Sequence, residues 1–127
     1  MTFRESLEEH LRAIKSRDLP SLMMTLPEGE LTLIRPDGRC LRSVDEYVAL
    51  YRDWFASSTW TIETRLEELT ECDALGLAIV HVTYRDEPPD RDRWLQRAFH
   101  TFAFAREGSR WVLIHDQATP IQPLDSP

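Results

Sequence analysis

Residues 75–84 read Leu-Gly-Leu-Ala-Ile-Val-His-Val-Thr-Tyr, and this stretch decides the fold. Successive side chains of a β-strand point to opposite faces, and here both sets are largely apolar, which indicates a strand covered on both sides. From residue 59 the apolar period is about 2, so three further strands are predicted at residues 60–70, 94–105 and 111–118. Short turns join these strands, and the sequence therefore predicts an antiparallel meander.

Two helices are predicted at the beginning of the chain. Thr2 and Glu5 have the spacing of a capping box, and apolar residues follow at helical intervals up to Lys15. Asp18 is suited to cap a second, shorter helix, which Pro27 is expected to stop.

A short strand at residues 31–34 and a turn at Pro36-Asp37-Gly38 precede a third helix. Proline fixes φ and glycine permits unusual φ values, so the chain is expected to double back at this turn. Ser43 and Glu46 repeat the capping-box spacing, and an apolar, largely aromatic stripe with helical spacing follows. The fold class is therefore α+β, a curved antiparallel sheet packed on three N-terminal helices.

The composition fits one small globular domain, assigned to residues 1–127. Hydrophobic residues make up 42% and charged residues 29% of the chain. The net charge is −7 and no basic patch is evident, so no nucleic-acid partner is expected.

The N-terminal residues are charged and amphipathic, so neither a signal peptide nor a membrane contact is predicted, and a cytoplasmic location is expected. Cys40 and Cys72 are expected to be free thiols.

The last strand carries the most specific pattern, Trp-Val-Leu-Ile-His-Asp-Gln-Ala-Thr-Pro at residues 111–120. With the order of helices and strands, it resembles the SnoaL-like, ketosteroid isomerase-like branch of the nuclear transport factor 2 superfamily. Many members end in a Trp, a short apolar run and His-x-His-x-Ser. His115 matches the first His, whereas Gln117 and Thr119 replace the second His and the Ser. The resemblance implies a cone-shaped sheet of cystatin-like topology around a pocket.

The resemblance implies two kinds of function. In ketosteroid isomerase and the polyketide cyclases, a carboxylate in the pocket removes a proton next to a carbonyl. The isomerase base stands just before a Pro in the first hairpin, and here Arg35 has that place, although a guanidinium cannot act as a base. Asp37 or Asp116 could serve if either turned inward. The similar association domain of calcium/calmodulin-dependent kinase II is a non-catalytic scaffold, so whether the chain is an enzyme stays open.

Three histidines of the strands are candidates for acid-base catalysis. If the face bearing His81 lines the pocket, alternation is expected to place His100 and His115 there as well. Imidazole suits proton transfer near neutral pH. The alternative is that each histidine is a half-buried strand residue hydrogen-bonded to a neighbour. No short metal-ligand motif and no glycine-rich phosphate loop is found, so neither a metal nor a cofactor is expected.

Further residues are predicted to contact a ligand through aromatic surface or an isolated polar group. Arg35 could hold a carboxylate or phosphate by a two-pronged contact, or could simply be solvated. The aromatic residues of the third helix are also typical of a packed core. The predicted set is Trp60, Phe102, Gln117, Arg35, Tyr51 and Trp54.

Two functions remain open. In the first, the protein binds a small, mainly apolar organic molecule, with acid-base chemistry of the isomerase, cyclase or dehydratase type. In the second, it is a non-catalytic ligand-binding or dimeric assembly module. Both faces of the sheet are apolar and three helices can cover only one, so a homodimer packed through the outer sheet face is predicted.

Overall fold

The computed structural model describes residues 1–122, which form three helices and one six-stranded sheet. The predicted α+β class, an almost entirely antiparallel sheet with three helices, is confirmed. The predicted end of the domain at residue 127 lies outside the described residues. In chain order the elements are α1 (Phe3–Lys15), α2 (Leu19–Met23), β1 (Thr32–Ile34), β2 (Cys40–Leu41), α3 (Val44–Phe55), β3 (Trp60–Glu71), β4 (Leu75–Asp86), β5 (Trp94–Glu107) and β6 (Arg110–Pro120).

The helices begin at the predicted caps. Thr2 Oγ1 accepts the Glu5 N–H at 3.1 Å while the Glu5 carboxylate accepts the Thr2 N–H at 2.8 Å, which completes the capping box of α1. Ser43 Oγ likewise accepts the Glu46 N–H at 3.1 Å and begins α3. These bonds satisfy amide groups that have no partner inside a helix. Among residues 1–122, none of the helices is both long and apolar enough to cross a membrane.

α2 is shorter than predicted. Asp18 accepts the Ser21 N–H at 3.1 Å, as expected of a cap, but the helix ends at Met23 rather than at Pro27. The next residues make tight turns instead, with the Thr25 N–H donating to Leu22 O at 3.0 Å. Local turn bonds therefore replace the last predicted helical turn.

The strand order is β2-β1-β6-β5-β4-β3. Strands β3 to β6 form the predicted antiparallel meander. β1 and β2 form a hairpin, and β1 also pairs with β6 in parallel, with Leu33 opposite Asp116. The parallel pairing places β6, the last described strand, near the middle of the sheet.

The helices cover one face of the sheet, called here the inner face, and leave the other, the outer face, uncovered within the described chain. The Phe3 ring of α1 packs on the inner face, with ring centroids 5.4 Å from Phe104 and 5.5 Å from Trp111. Gly76 of β4 permits this contact, since a Cβ there would lie 2.5 Å from the Phe3 ring. The core therefore sits between α1, α3 and the inner face.

Two β-bulges interrupt the meander. In β6, His115 lies opposite Ala103 but Leu113 lies opposite Phe104, so Ile114 is an extra residue without a partner. A similar shift occurs in β3 between Leu66 and Glu68. An extra residue reverses the alternation of side chains beyond it, so the bulge at Ile114 decides which residues of β6 face inward.

Candidate ligand site

A cavity of about 520 Å³ lies between α1, α3, the end of β1 and the inner face of strands β3 to β6. Its volume falls within the range of small-molecule sites, roughly 300–1,000 Å³. Most of its wall is apolar or aromatic: Leu11, Ile14, Leu33, Leu50, Trp54, Trp60, Ile62, Val82, Tyr84, Trp94, Phe102 and Ala118. Fewer polar side chains interrupt this wall, including Arg35, Tyr51, Thr64, Gln96, His100 and Asp116.

Stacked aromatic rings form one side of the cavity. Trp54 of α3 lies parallel to Trp60 of β3, with ring centroids 4.0 Å apart. Trp60 Nε1 donates to Trp54 O at 3.0 Å, and Trp54 Nε1 donates to the Tyr84 hydroxyl at 3.3 Å. Because both indole N–H groups are satisfied, the rings are fixed in place and offer apolar surface to a ligand.

His100 and Asp116 form a hydrogen-bonded pair in the opposite wall. His100 Nδ1 lies 2.9 Å from Asp116 Oδ1. The Asp116 side chain is 1% exposed, whereas the His100 side chain is 22% exposed. An ionised carboxylate can only accept, so opposite ionised Asp116 the Nδ1 of His100 is the donor, and in the neutral imidazole Nε2 then carries the lone pair. Nε2 makes no hydrogen bond within residues 1–122, and His100 lines the cavity.

Two tyrosines of α3 lie close to the pair. Their rings stack with centroids 4.4 Å apart, and Tyr51 lines the cavity while Tyr47 is fully buried beneath it. Burial, with a smaller contribution from the negative charge of Asp116, raises the pKa of Tyr51. Burial also raises the pKa of Tyr47. Both hydroxyls therefore stay neutral.

His10 of α1 is a buried histidine that no prediction included. Its Nδ1 lies 2.8 Å from Thr25 Oγ1, and this hydroxyl donates to Leu22 O at 2.6 Å, so His10 donates from Nδ1. Its Nε2 has no partner within the described chain. Burial lowers the pKa of His10 to about 4, so the ring is neutral at pH 7. The ring lies edge-on to Phe102, behind the cavity wall.

Six predicted site residues line the cavity: Trp60, Phe102, Arg35, Tyr51, Trp54 and His100. The other three do not. His81 lies edge-on to Phe99, with ring centroids 5.6 Å apart, and His115 Nε2 lies 3.2 Å from Gln117 Oε1. All three are on the outer face, so the expectation that the three imidazoles share one face is wrong.

The β-sheet register explains this difference. Val80, not His81, lies opposite His100, so His81 points the other way. In β6 the bulge at Ile114 turns His115 outward and brings Asp116 inward. Strict alternation could not predict that Asp116 faces the cavity. The one sequence signal that could have indicated it is a lone carboxylate in an otherwise apolar strand, which is unusual.

Arg35 lies where the chain leaves β1 for the hairpin, and its side chain is half-buried in the cavity wall. It makes no hydrogen bond and no ion pair through its guanidinium with any residue between 1 and 122. Within the same residues, no group of three or more His, Cys, Asp or Glu is arranged to hold a metal ion. Cys40 and Cys72 are exposed free thiols.

Comparison with known proteins identifies the fold. No family model and no curated protein matches the sequence. Among solved structures, the chain is similar to a proposed dehydratase of the nuclear transport factor 2-like family from Streptomyces avermitilis, with a TM-score of 0.78 and 16% identity over 93% of each chain. It is also similar to a ketosteroid isomerase-like protein from Erwinia carotovora atroseptica, with a TM-score of 0.77 and 14% identity over 94% of each chain.

A third similar structure is a proposed association domain of calcium/calmodulin-dependent protein kinase type II from Thiobacillus denitrificans. Its TM-score is 0.78 at 16% identity, over 95% of this chain and 96% of the other. At such low identities the likeness concerns the fold alone. The chain therefore has the nuclear transport factor 2-like fold expected from its sequence, and its function has to be argued from its own site.

Proposed function

We propose that the protein binds a small, mainly apolar organic molecule in the cavity and transfers a proton to or from it through His100. The observation that carries this proposal is the 2.9 Å bond between His100 Nδ1 and the buried carboxylate of Asp116 at the cavity wall. A general base has to be held in one tautomer with its free nitrogen towards the substrate. The apolar wall supports binding of an organic molecule rather than a strongly charged one.

The pair is suited to removal of a proton from a carbon next to a carbonyl. Nε2 of His100 would take the proton with its lone pair, and the electrons of the C–H bond would move into the carbonyl to form an enolate. Asp116 would stabilise the imidazolium formed in this step. The proton then returns to another carbon in an isomerisation, or to a departing hydroxyl in a dehydration.

The names of similar structures support this class of reaction, because they include a ketosteroid isomerase-like protein and a proposed dehydratase. The catalytic residue would differ from the carboxylate base of ketosteroid isomerase, since Arg35 stands at the corresponding hairpin position. Of the three histidines predicted as catalysts, we retain His100. His81 and His115 lie on the outer face, away from the cavity wall.

The test is proton exchange at a carbon next to a carbonyl. Small cyclic ketones and enones would be incubated with the protein in D₂O, and deuterium incorporation followed by NMR. We expect the wild type to accelerate exchange for at least one ketone and His100→Asn to lose about 100-fold of that acceleration. Asparagine retains an N–H for Asp116 but has no basic nitrogen, so the fold is expected to persist.

His115→Asn is the matched control, because it removes an imidazole of the same sheet from the outer face. It should leave the exchange rate unchanged. Exchange equal to that of buffer for every ketone, or an unaffected rate in His100→Asn, would contradict the catalytic role of His100.

The second candidate function, a dimeric assembly module, is favoured by the outer face. Four large apolar side chains of β4 and β5 are between 38% and 47% exposed there: Leu75, Leu77, Leu95 and Phe99. Isolated exposed apolar residues are common, but a group of them on one sheet face is typical of an interface. We propose that a second copy of the chain covers this face in a homodimer.

Sedimentation equilibrium at micromolar concentration tests the homodimer. We expect a mass of two chains for the wild type and of one chain for Phe99→Arg, because a guanidinium in an apolar interface costs free energy. Met24→Arg is the control, since Met24 is 71% exposed and lies on the helical side of the molecule. A wild-type mass equal to one chain would exclude the homodimer.

A further inference from the structure

Arg35 contributes a cation without a partner to a largely apolar cavity. The guanidinium makes neither a hydrogen bond nor an ion pair with residues 1–122, whereas Arg39 of the same hairpin binds Asp37 at 3.0 Å. Arg35 is half-buried, and Arg39 is exposed. As a residue Arg35 is partly withdrawn from solvent, so an anion at this point would replace interactions with water.

The sheet register brings Arg35 close to the catalytic pair. The β1–β6 pairing ends at Ile34 and Gln117, and its register continued by one residue would set Arg35 beside Ala118. Ala118 in turn pairs with His100 on β5. Arg35 would then lie two chain spacings from His100, roughly 10 Å at about 4.8 Å per strand, and both residues line the cavity. A small molecule can contact both side chains at once.

The surroundings of Arg35 suit a carboxylate better than a phosphate. The amides of the hairpin are already used: Arg35 N–H donates to Arg39 O, Gly38 N–H to Arg35 O, and Arg39 N–H to Asp37 Oδ1. No row of free amides is therefore available to cradle a phosphate. Asp53 and Asp86 also line the cavity, and their carboxylates would repel a dianion more strongly than a monoanion.

We propose that the ligand of the cavity is a small carboxylic acid whose carboxylate binds the Arg35 guanidinium while its apolar part lies against the aromatic wall near His100. One guanidinium matches one carboxylate through two parallel N–H···O bonds. Bound in this way, the carboxylate orients the molecule, and a carbon several bonds away is presented to His100 Nε2. The inference rests on the ligand-binding part of the proposed function and adds the chemical class of the ligand.

Matched pairs of acids and amides test this specificity. Phenylacetate and phenylacetamide, and cyclohexanecarboxylate and its carboxamide, would be titrated at pH 7 while tryptophan fluorescence is followed. In each pair the apolar part is the same, so the ratio of the two dissociation constants isolates the contribution of the charge. For the wild type we expect the acid to bind at least about 10-fold more tightly than the amide, as for a charged hydrogen bond.

In Arg35→Gln this ratio should fall to about 1, and the affinity for the amide should not change, which shows that the cavity is intact. Arg65→Gln is the matched control, because Arg65 is largely exposed, pairs with Glu67 and is not among the residues that line the cavity. It should keep the wild-type ratio. Phenyl phosphate should bind more weakly than phenylacetate.

The possible failures are distinguishable. If acid and amide bind equally to the wild type, or if Arg35→Gln keeps the preference, the carboxylate inference is overturned while the apolar cavity of the proposed function stands. Tighter binding of phenyl phosphate than of phenylacetate also overturns it. If no acid and no amide binds, the proposed ligand site fails together with the inference.

Discussion

Acid should destabilise the protein through His10. Burial holds the pKa of His10 at about 4 in the folded protein, compared with 6.5 for an exposed histidine. Between these two pH values the unfolded chain binds more protons than the folded protein, so stability falls as the pH is lowered. The contribution of His10 is complete above about pH 6.5 and is lost progressively towards pH 4.

The two pKa values determine how much the free energy of unfolding changes with pH. Their difference corresponds to about 3 kcal/mol, of which about 2 kcal/mol is lost between pH 7 and pH 4.5. His10 is fully buried, so screening by solvent does not reduce this figure. The cost arises because a charged imidazole would be buried against Phe102 and Phe104, and the attraction of the Asp116 carboxylate offsets this cost only in part.

Urea unfolding at pH 7 and pH 4.5, followed by tryptophan fluorescence, measures the effect. His10→Asn keeps an N–H for Thr25 and removes the titrating group. On acidification its free energy of unfolding should therefore fall by about 2 kcal/mol less than that of the wild type. Leu7→Val, at a buried position of the same helix, should lower stability equally at both pH values. An equal loss on acidification in the wild type and His10→Asn would refute the reasoning.

Two further predictions concern local packing and capping. Gly76→Ala should destabilise the fold by about 1–3 kcal/mol, because its Cβ would overlap the buried Phe3 ring, while Gly29→Ala, with open space around it, should not. Thermal unfolding would compare the two, and equal melting temperatures would argue against the overlap. Thr2→Ala should cost about 1 kcal/mol through loss of the hydroxyl that accepts the Glu5 N–H, and Thr2→Ser should recover most of it in the same assay. Full stability of Thr2→Ala would mean that the capping box contributes nothing.

The fold could be predicted from the sequence because its signals are local. Capping residues such as Thr2 and Ser43 determine where helices begin, and the change of apolar period after Phe55 marks the beginning of the sheet. The pairing of β1 with β6 had no such signal. It joins residues about 80 positions apart through backbone hydrogen bonds, which leave no pattern in the side chains.

The candidate site could be predicted only in part, because it depends on strand register. The connection from Asp86 to Trp94 is too long for its turn type to fix the pairing, and a shift of one residue would have placed His81 opposite His100. The bulge at Ile114 is a similar case. Residues 111–114 are all apolar, so they fit either face of the sheet and nothing in the sequence marks the residue that has no partner.

The central place of β6 also governs how the chain can fold. β6 pairs with β5 and with β1, which lies far back in the sequence. Leu33 can therefore reach its partner Asp116 only when the long intervening chain, which includes Phe102 on β5, has been brought together. Closing so long a loop has an entropic cost that must be met before the contacts form, and proteins rich in such contacts fold on the order of milliseconds to seconds. The parallel β1–β6 pairing is therefore expected to form late and to limit the rate at which the native state is reached.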